Sequence, residues 1–209
     1  FTDIAKRNNV HINSAPDLYL SKWLNNAKEL VKSGIIGDVL SIHCFLLSDG
    51  PELWHPEPSA FYQKGAGPIF DRAVYYITAL LEIFGDISSV FAISSRLENS
   101  RLDHSRKIPF AVEVDTHFHC LLRFKKGFSA SMIASFDIKT TENDNSFIVY
   151  GSKNTILIPN PMDYSGEVRI WSDNKQSWES IEVDNAQGIE TQEELRGFGV
   201  IEMAENILN

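Results

Sequence analysis

The hydrophobic pattern of the chain changes period about a fifth of the way along. In WLNNAKELVKSG the apolar positions 23, 24, 27, 30 and 31 follow helical spacing. Gly34 sits where a glycine closes a helix at its C-terminus. Ahead of it, FTDIAKRNN reads as a helix with the basic pair Lys6 and Arg7 in its last turn. VHIN reads as a short strand, and SAPDLYL as a loop opened by Ser14 and Pro16. Helix, strand, loop and helix make the tail of an α/β unit. From VLSIHCFLL onward, strand-like segments dominate: ISSVFAISSRLE, VEVDTHFHCLLRF, FSASMIASFDI, SFIVYG, TILI, EVRIW and SWESIEV. Turn signals at Lys126–Gly127, Gly151–Asn154 and Asp173–Lys175 join several of them closely, which predicts an antiparallel sheet.

Three segments break the strand pattern. SDGPELWHPEPSAFYQK is a long irregular loop whose aromatic content argues against disorder. ISSRLENSRLDHSRKIP reads as a long polar connection. A helix is predicted over 68–84, opened by Pro68, whose missing N–H costs nothing at a first helical position, and stopped by Gly85. A last helix is predicted from Thr191, with Glu194 completing a capping box.

The segment GAGPIFDRAVYY raises the possibility of a phosphate cradle. A dinucleotide fingerprint needs a third glycine and a preceding strand, but position 70 is Phe and the preceding residues are loop. Gly65 and Gly67 instead let the backbone turn tightly or approach a ligand closely. On the helix, Asp71, Tyr75, Thr78 and Glu82 share one face. Asp71 and Tyr75, four residues apart, suit the orientation and protonation of a small oxygen-bearing substrate. The plainer accounts are a first-turn carboxylate favoured by the helix dipole and a half-buried aromatic with a wet hydroxyl. His55 in WHPEP could bind a substrate hydroxyl or serve as a surface imidazole. Asp115, His117 and His119 alternate on one strand face, a pattern that can bind a metal or simply mark the more polar side of a sheet.

Composition narrows the classes. The formal charge is −9 over 209 residues, which excludes a nucleic-acid surface built on clustered Lys and Arg. No apolar run approaches the roughly 20 residues of a membrane span. Cys44 and Cys120 lie in apolar runs and read as reduced core thiols, so a cytoplasmic compartment is expected.

SAPDLYL, IIGDVLS, the WHPEP loop, FYQKGAGPIFDRAVYYITALLEIFGDISSV, YGSKNTILIPNP and RGFGVIEMAENIL occur in this order. Together they resemble the C-terminal part of the Gfo/Idh/MocA family of glucose–fructose oxidoreductases and inositol dehydrogenases. The resemblance covers nearly the whole chain and is most specific from Trp54 to Gly85. It implies an α+β fold with an open, mainly antiparallel sheet and helices on one face. Residues 1–15 would then be the last helix and strand of a truncated Rossmann domain, and 16–209 a C-terminal substrate-binding and oligomerisation domain.

In that family the Rossmann domain binds NAD or NADP and ends in a Glu-Lys-Pro motif with a catalytic lysine. Neither that motif nor the glycine fingerprint occurs here, so the chain by itself is expected to be inactive. The family's catalytic helix carries an Asp followed four residues later by His or Tyr, which implies Asp71 and Tyr75 as catalytic residues. A tyrosine needs a nearby cation to act as a base at neutral pH, a charge the absent lysine could supply. Arg72, Ala73 and Val74 depart from the commoner family pattern. Trp54, His55, Tyr62 and Asp17 are the implied substrate-binding residues. The implied substrate is a sugar or polyol oxidised at a secondary alcohol. The implied assembly is a homo-oligomer, dimer or tetramer, formed through the bare sheet face. Two alternatives are a non-catalytic scaffold of the same fold and a metal-dependent hydrolase using Asp115, His117 and His119.

Overall fold

The computed structural model describes residues 1–12, 14–16, 21–139, 146–162, 166–182 and 198–208. Four α-helices are present among them: α1 (Thr2–Asn8), α2 (Lys22–Lys32), α3 (Val74–Phe84) and α4 (Phe198–Leu208). The strands are β1 (Val39–Leu47), β2 (Ile87–Ser95), β3 (Ser100–Asp103), β4 (Ile108–Ala111), β5 (His117–Phe124), β6 (Ser129–Ser135), β7 (Ser146–Gly151), β8 (Thr155–Ile158), β9 (Arg169–Ser172) and β10 (Ser177–Ser180).

Eight strands form one open sheet in the order β10-β9-β8-β7-β1-β6-β5-β2. Every neighbouring pair is antiparallel except β1 with β6, which run parallel at the centre. Strand alternation separates the two faces. Ile42, Cys44, Leu46, Cys120, Leu122, Ala130 and Met132 turn to one side and are buried under Trp23, Leu24 and Leu30 of α2 and Ala79, Leu80 and Ile83 of α3. The opposite side carries His43, His117, His119, Leu121, Phe91 and Ile93. There Phe91, Ile93 and Leu121 are 66%, 60% and 53% exposed. The fold is therefore α+β with α2 and α3 on one face, as the sequence implies. Both cysteines are buried free thiols, and burial pushes the Cys44 thiol far up.

The local signals hold where they are short-range. Lys6 and Arg7 do lie in the last turn of α1, and Gly34 follows α2 with φ 74°. Two expectations change. Among the described residues, 10–12 join no strand, and Val10 and Ile12 are 57% and 55% exposed; a strand exists only where a neighbour supplies its ladder. The polar connection after β2 folds as a separate hairpin, with β3 and β4 paired from Ser100↔Ala111 to Asp103↔Ile108. The Asp103 carboxylate builds its turn by accepting from Ser105 N at 2.9 Å, Ser105 Oγ at 2.7 Å and Arg106 N at 3.0 Å. The capping box expected at Thr191 and Glu194 lies outside the described residues.

Candidate active site

The helix predicted over 68–84 starts as a π-helical turn, Ile69–Ala73, and only then becomes α3. Pro68 precedes it, and Gly67 at φ 96° makes the turn into it. A Cβ at Gly67 would lie 3.3 Å from Val114 and 3.4 Å from the Asp115 carbonyl. A wider turn at the start of a helix rotates its first residues relative to the rest, a device often found at functional sites. Here that turn carries Asp71.

Asp71 is half-buried. Burial raises its carboxyl above the ordinary range, against the opposing pull of the positive charges of Arg72 and His55. Tyr75, one α-turn on, is half-buried and packs its ring along the margin of the main core. Its neighbour Tyr76 has a different role: fully buried, it stacks on Phe147 and donates to Asn160 Oδ1 at 3.2 Å. Arg72 leads away from Asp71, with Nε 3.3 Å from Met162 Sδ and Nη1 3.5 Å from the Leu47 carbonyl. Glu82, on the same predicted stripe, is used in an ion pair with Lys28 at 3.0 Å.

The loop over 48–67 carries the candidates Trp54 and His55. Trp54 N and His55 N both donate to the Pro51 carbonyl, at 3.2 and 2.9 Å. Trp54 remains 69% exposed. Its ring meets His55 edge-on at 5.4 Å, and His55 meets Phe61 at 4.6 Å. The His55 Nδ1 accepts from Glu57 N at 3.0 Å, which leaves Nε2 to carry the proton of the neutral ring. Trp54, His55, Asp71 and Tyr75 thus belong to adjoining elements, and His55 is near enough to Asp71 for its charge to be felt there.

Tyr62, one of the implied substrate-binding residues, is fully buried. Its hydroxyl donates to Glu52 Oε2 at 2.7 Å and accepts from Arg101 Nη1 at 3.1 Å, while the Arg101 guanidinium lies 5.1 Å over its ring. Burial first, then the hydrogen bond and charge of Glu52, push its phenol strongly up. Asp17 lies outside the described residues.

The Tyr62 hydroxyl belongs to a buried ionic network that sequence reading missed. Arg101 Nη1 reaches Glu52 Oε1 at 2.7 Å and the Phe136 carbonyl at 3.0 Å, and Nη2 pairs with Asp137. Thr116 Oγ1 donates to the other Asp137 oxygen at 2.6 Å. The three charged side chains are only 7–10% exposed. Gly50, at φ 92°, makes room for them: a Cβ there would collide with Glu52 Oε2 and the Tyr62 hydroxyl. Nothing in the periodicity marks Glu52, Arg101 or Asp137, because they come from two loops and a hairpin far apart in sequence.

The three candidate metal ligands do not assemble. Strand β5 begins at His117, so Asp115 precedes it, and its carboxylate accepts from Ser94 Oγ at 2.5 Å. His117 Nδ1 is 2.9 Å from Ser135 Oγ. Burial, and secondarily the charge of His119, lower the His117 pKa, while Asp137 opposes the change. Among the described residues no three His, Cys, Asp or Glu side chains converge on a common point.

Comparison with known proteins adds to this geometry. A family model described as the GFO/IDH/MocA C-terminal domain matches residues 24–157. The comparison with curated proteins finds no match. Among solved structures, an NAD-binding oxidoreductase from Klebsiella pneumoniae superposes with a TM-score of 0.70 at 17% identity, over 97% of this chain and 58% of its own. Levoglucosan dehydrogenase in complex with NADH and levoglucosan gives 0.66 at 22% identity, over 87% and 49%. An oxidoreductase from Agrobacterium radiobacter in complex with NAD+, L-tartaric acid and magnesium gives 0.65 at 12%, over 96% and 55%. The chain spans about half the length of the structures it matches.

Proposed function

Because the chain belongs to the GFO/IDH/MocA C-terminal domain family, we propose that it is the substrate-binding and oligomerisation part of an NAD(P)-dependent oxidoreductase acting on a secondary alcohol of a sugar or polyol. Residues 1–15 belong to its dinucleotide-binding domain and 16–209 to its C-terminal domain. The observation that carries this reading is Asp71, a half-buried carboxyl on a π-helical turn, close enough to His55 of the aromatic loop for the imidazole charge to act on it. Solved relatives in complex with NADH and levoglucosan, or with NADH and L-sorbose, support the substrate class.

The pyridine nucleotide does not fit the described residues. Gly65 and Gly67 follow the 3-10 turn Pro58–Tyr62, not a strand, so they offer no pyrophosphate cradle at a strand-to-helix turn. Binding of NAD or NADP belongs to the preceding domain. Tyr75 exchanges the proton of the reacting hydroxyl. Asp71 accepts from a neighbouring hydroxyl and fixes the ring. His55 donates from Nε2, and Trp54 offers an exposed ring against the apolar C–H face of a sugar. Self-association uses the open sheet face, where Phe91, Ile93 and Leu121 are exposed.

The test uses the full-length protein, screened against levoglucosan, L-sorbose and inositols with NAD and NADP. Tyr75→Phe and Asp71→Asn should each lower turnover by about 10²–10⁴. Near-normal turnover in both variants would leave the helix structural and favour a scaffold.

A further inference from the structure

We infer that the β3–β4 hairpin is a clamp that sets the substrate wall of the site, with Arg101 as its positioning residue and Arg106 as its second hold. The inference rests on the functional reading above. The wall is the loop over 48–67, which presents Trp54 and His55. Its ends are tied down by backbone bonds: Ser48 N donates to the Ser135 carbonyl at 3.0 Å, Ile138 N to the Ser48 carbonyl at 2.9 Å, and Glu113 N to the Tyr62 carbonyl at 2.8 Å. Between those ties the backbone bonds around Trp54 and His55 are local, both N–H groups donating to the Pro51 carbonyl. Such a turn fixes the shape of that stretch, and two arginines on one hairpin tie it to its surroundings.

Arg101, in β3, joins the loop to the sheet. On the loop side it holds Glu52 and the Tyr62 hydroxyl. On the sheet side it holds the Phe136 carbonyl and Asp137, just past the end of β6. Arg106, in the turn of the hairpin, grips Glu57 with both terminal nitrogens, one of them at 2.8 Å. That contact holds the Glu57 carboxyl below its ordinary range, chiefly through the Arg106 hydrogen bond.

The two grips bracket the functional residues. Glu52 is two residues before Trp54, and Glu57 is two residues after His55. Glu57 also donates its N–H to His55 Nδ1, so the hold of Arg106 on Glu57 reaches the imidazole through one residue. A binding group must stay within about 0.5 Å of its productive position, and a displacement near 1 Å can cost about 10²-fold. Arginine suits the central post because its planar fork spans two carboxylates, which the point charge of lysine cannot do.

Arg101→Lys and Arg106→Gln in the full-length protein test this, with levoglucosan and myo-inositol as probes. The expected result is a KM raised about 10²-fold for Arg101→Lys and about 10-fold for Arg106→Gln, with the NADH dissociation constant unchanged. Hydrogen exchange in peptides covering 48–67 should quicken about 10-fold, with α3, β5 and β6 exchanging as in the wild type. Arg106 is about half exposed, so its variant stays folded even if Arg101→Lys does not. An unchanged KM with uniformly faster exchange would reduce the hairpin to general support and overturn the inference. Unchanged exchange over 48–67 in Arg106→Gln would overturn it equally. A wild type that oxidises neither probe counts against the functional reading, and the exchange measurement then decides the clamp on its own.

Discussion

Replacing Tyr62 by Phe removes one oxygen from the buried Glu52–Arg101–Asp137 network and leaves the ring in place. The ring keeps its contacts with Phe110 and Phe136, at 5.4 and 5.6 Å between centroids, and its place beneath the Arg101 guanidinium. The lost interactions are the 2.7 Å bond donated to Glu52 and the 3.1 Å bond accepted from Arg101. A hydrogen bond to a charged group contributes about 1.5–3 kcal/mol net. Glu52 keeps Arg101 as a partner, so no carboxylate is left alone, and about 2 kcal/mol is the expected loss. With a urea m-value of about 2 kcal/mol/M the unfolding midpoint should fall by about 1 M. The assay is urea unfolding followed by tryptophan fluorescence, with Tyr75→Phe as a control expected within about 0.5 kcal/mol of wild type. The pH dependence gives a second reading. The folded state holds the Tyr62 proton more tightly than the unfolded chain, because burial and Glu52 raise its phenol. The stability this contributes is full below the ordinary tyrosine value of about 10 and is lost as pH rises above it. Tyr62→Phe should flatten that alkaline decline. A midpoint unchanged within the error of the extrapolation, together with a raised substrate KM, would refute the reasoning. It would return Tyr62 to the pocket wall.

Asp71→Asn should preserve or increase stability at pH 7, because a carboxyl raised by burial favours the folded state below its ordinary pKa and loses that contribution as pH rises through the raised value; thermal melts at pH 4 and pH 7 check the sign. Gly50→Ala combines a positive φ with a collision against Glu52 and Tyr62, so a loss of at least about 2 kcal/mol is expected from the same urea curves. Leu121→Asp puts a charge on the exposed sheet face opposite Phe91, and light scattering should show any self-association of the wild type weakened while circular dichroism stays the same.

Short-range signals in the sequence determined much of the secondary structure. The 3.6-residue spacing of Trp23, Leu24, Ala27 and Leu30 yields α2, and these side chains are buried together with Asn26. Gly34 and Gly85 close their helices with φ of 74° and 89°. The two-residue alternation of β5 and β6 gives each strand a buried face, and Gly127 turns one into the other. In all of these cases the cause lies within a few residues of the effect. The sequence also placed Asp71 and Tyr75 on one helix, because Pro68 marks where that helix begins.

Tertiary structure decided whatever depended on distant partners. The central position of β1, antiparallel to β7 and parallel to β6, follows from pairing across the whole domain. Residues 10–12 carry a strand-like pattern but pair with no neighbour among the described residues. The π-helical turn under Asp71 is a change of hydrogen-bond register that side-chain period does not specify. Tyr62 reads as an amphipathic loop aromatic until Arg101, 39 residues on, takes up its hydroxyl. Asp137 and Glu52 lie 36 and 49 residues from Arg101, and local patterning has no term for a contact of that length. A buried charge is tolerated only where its partners converge, and that convergence exists only once the sheet, the loop and the hairpin have come together.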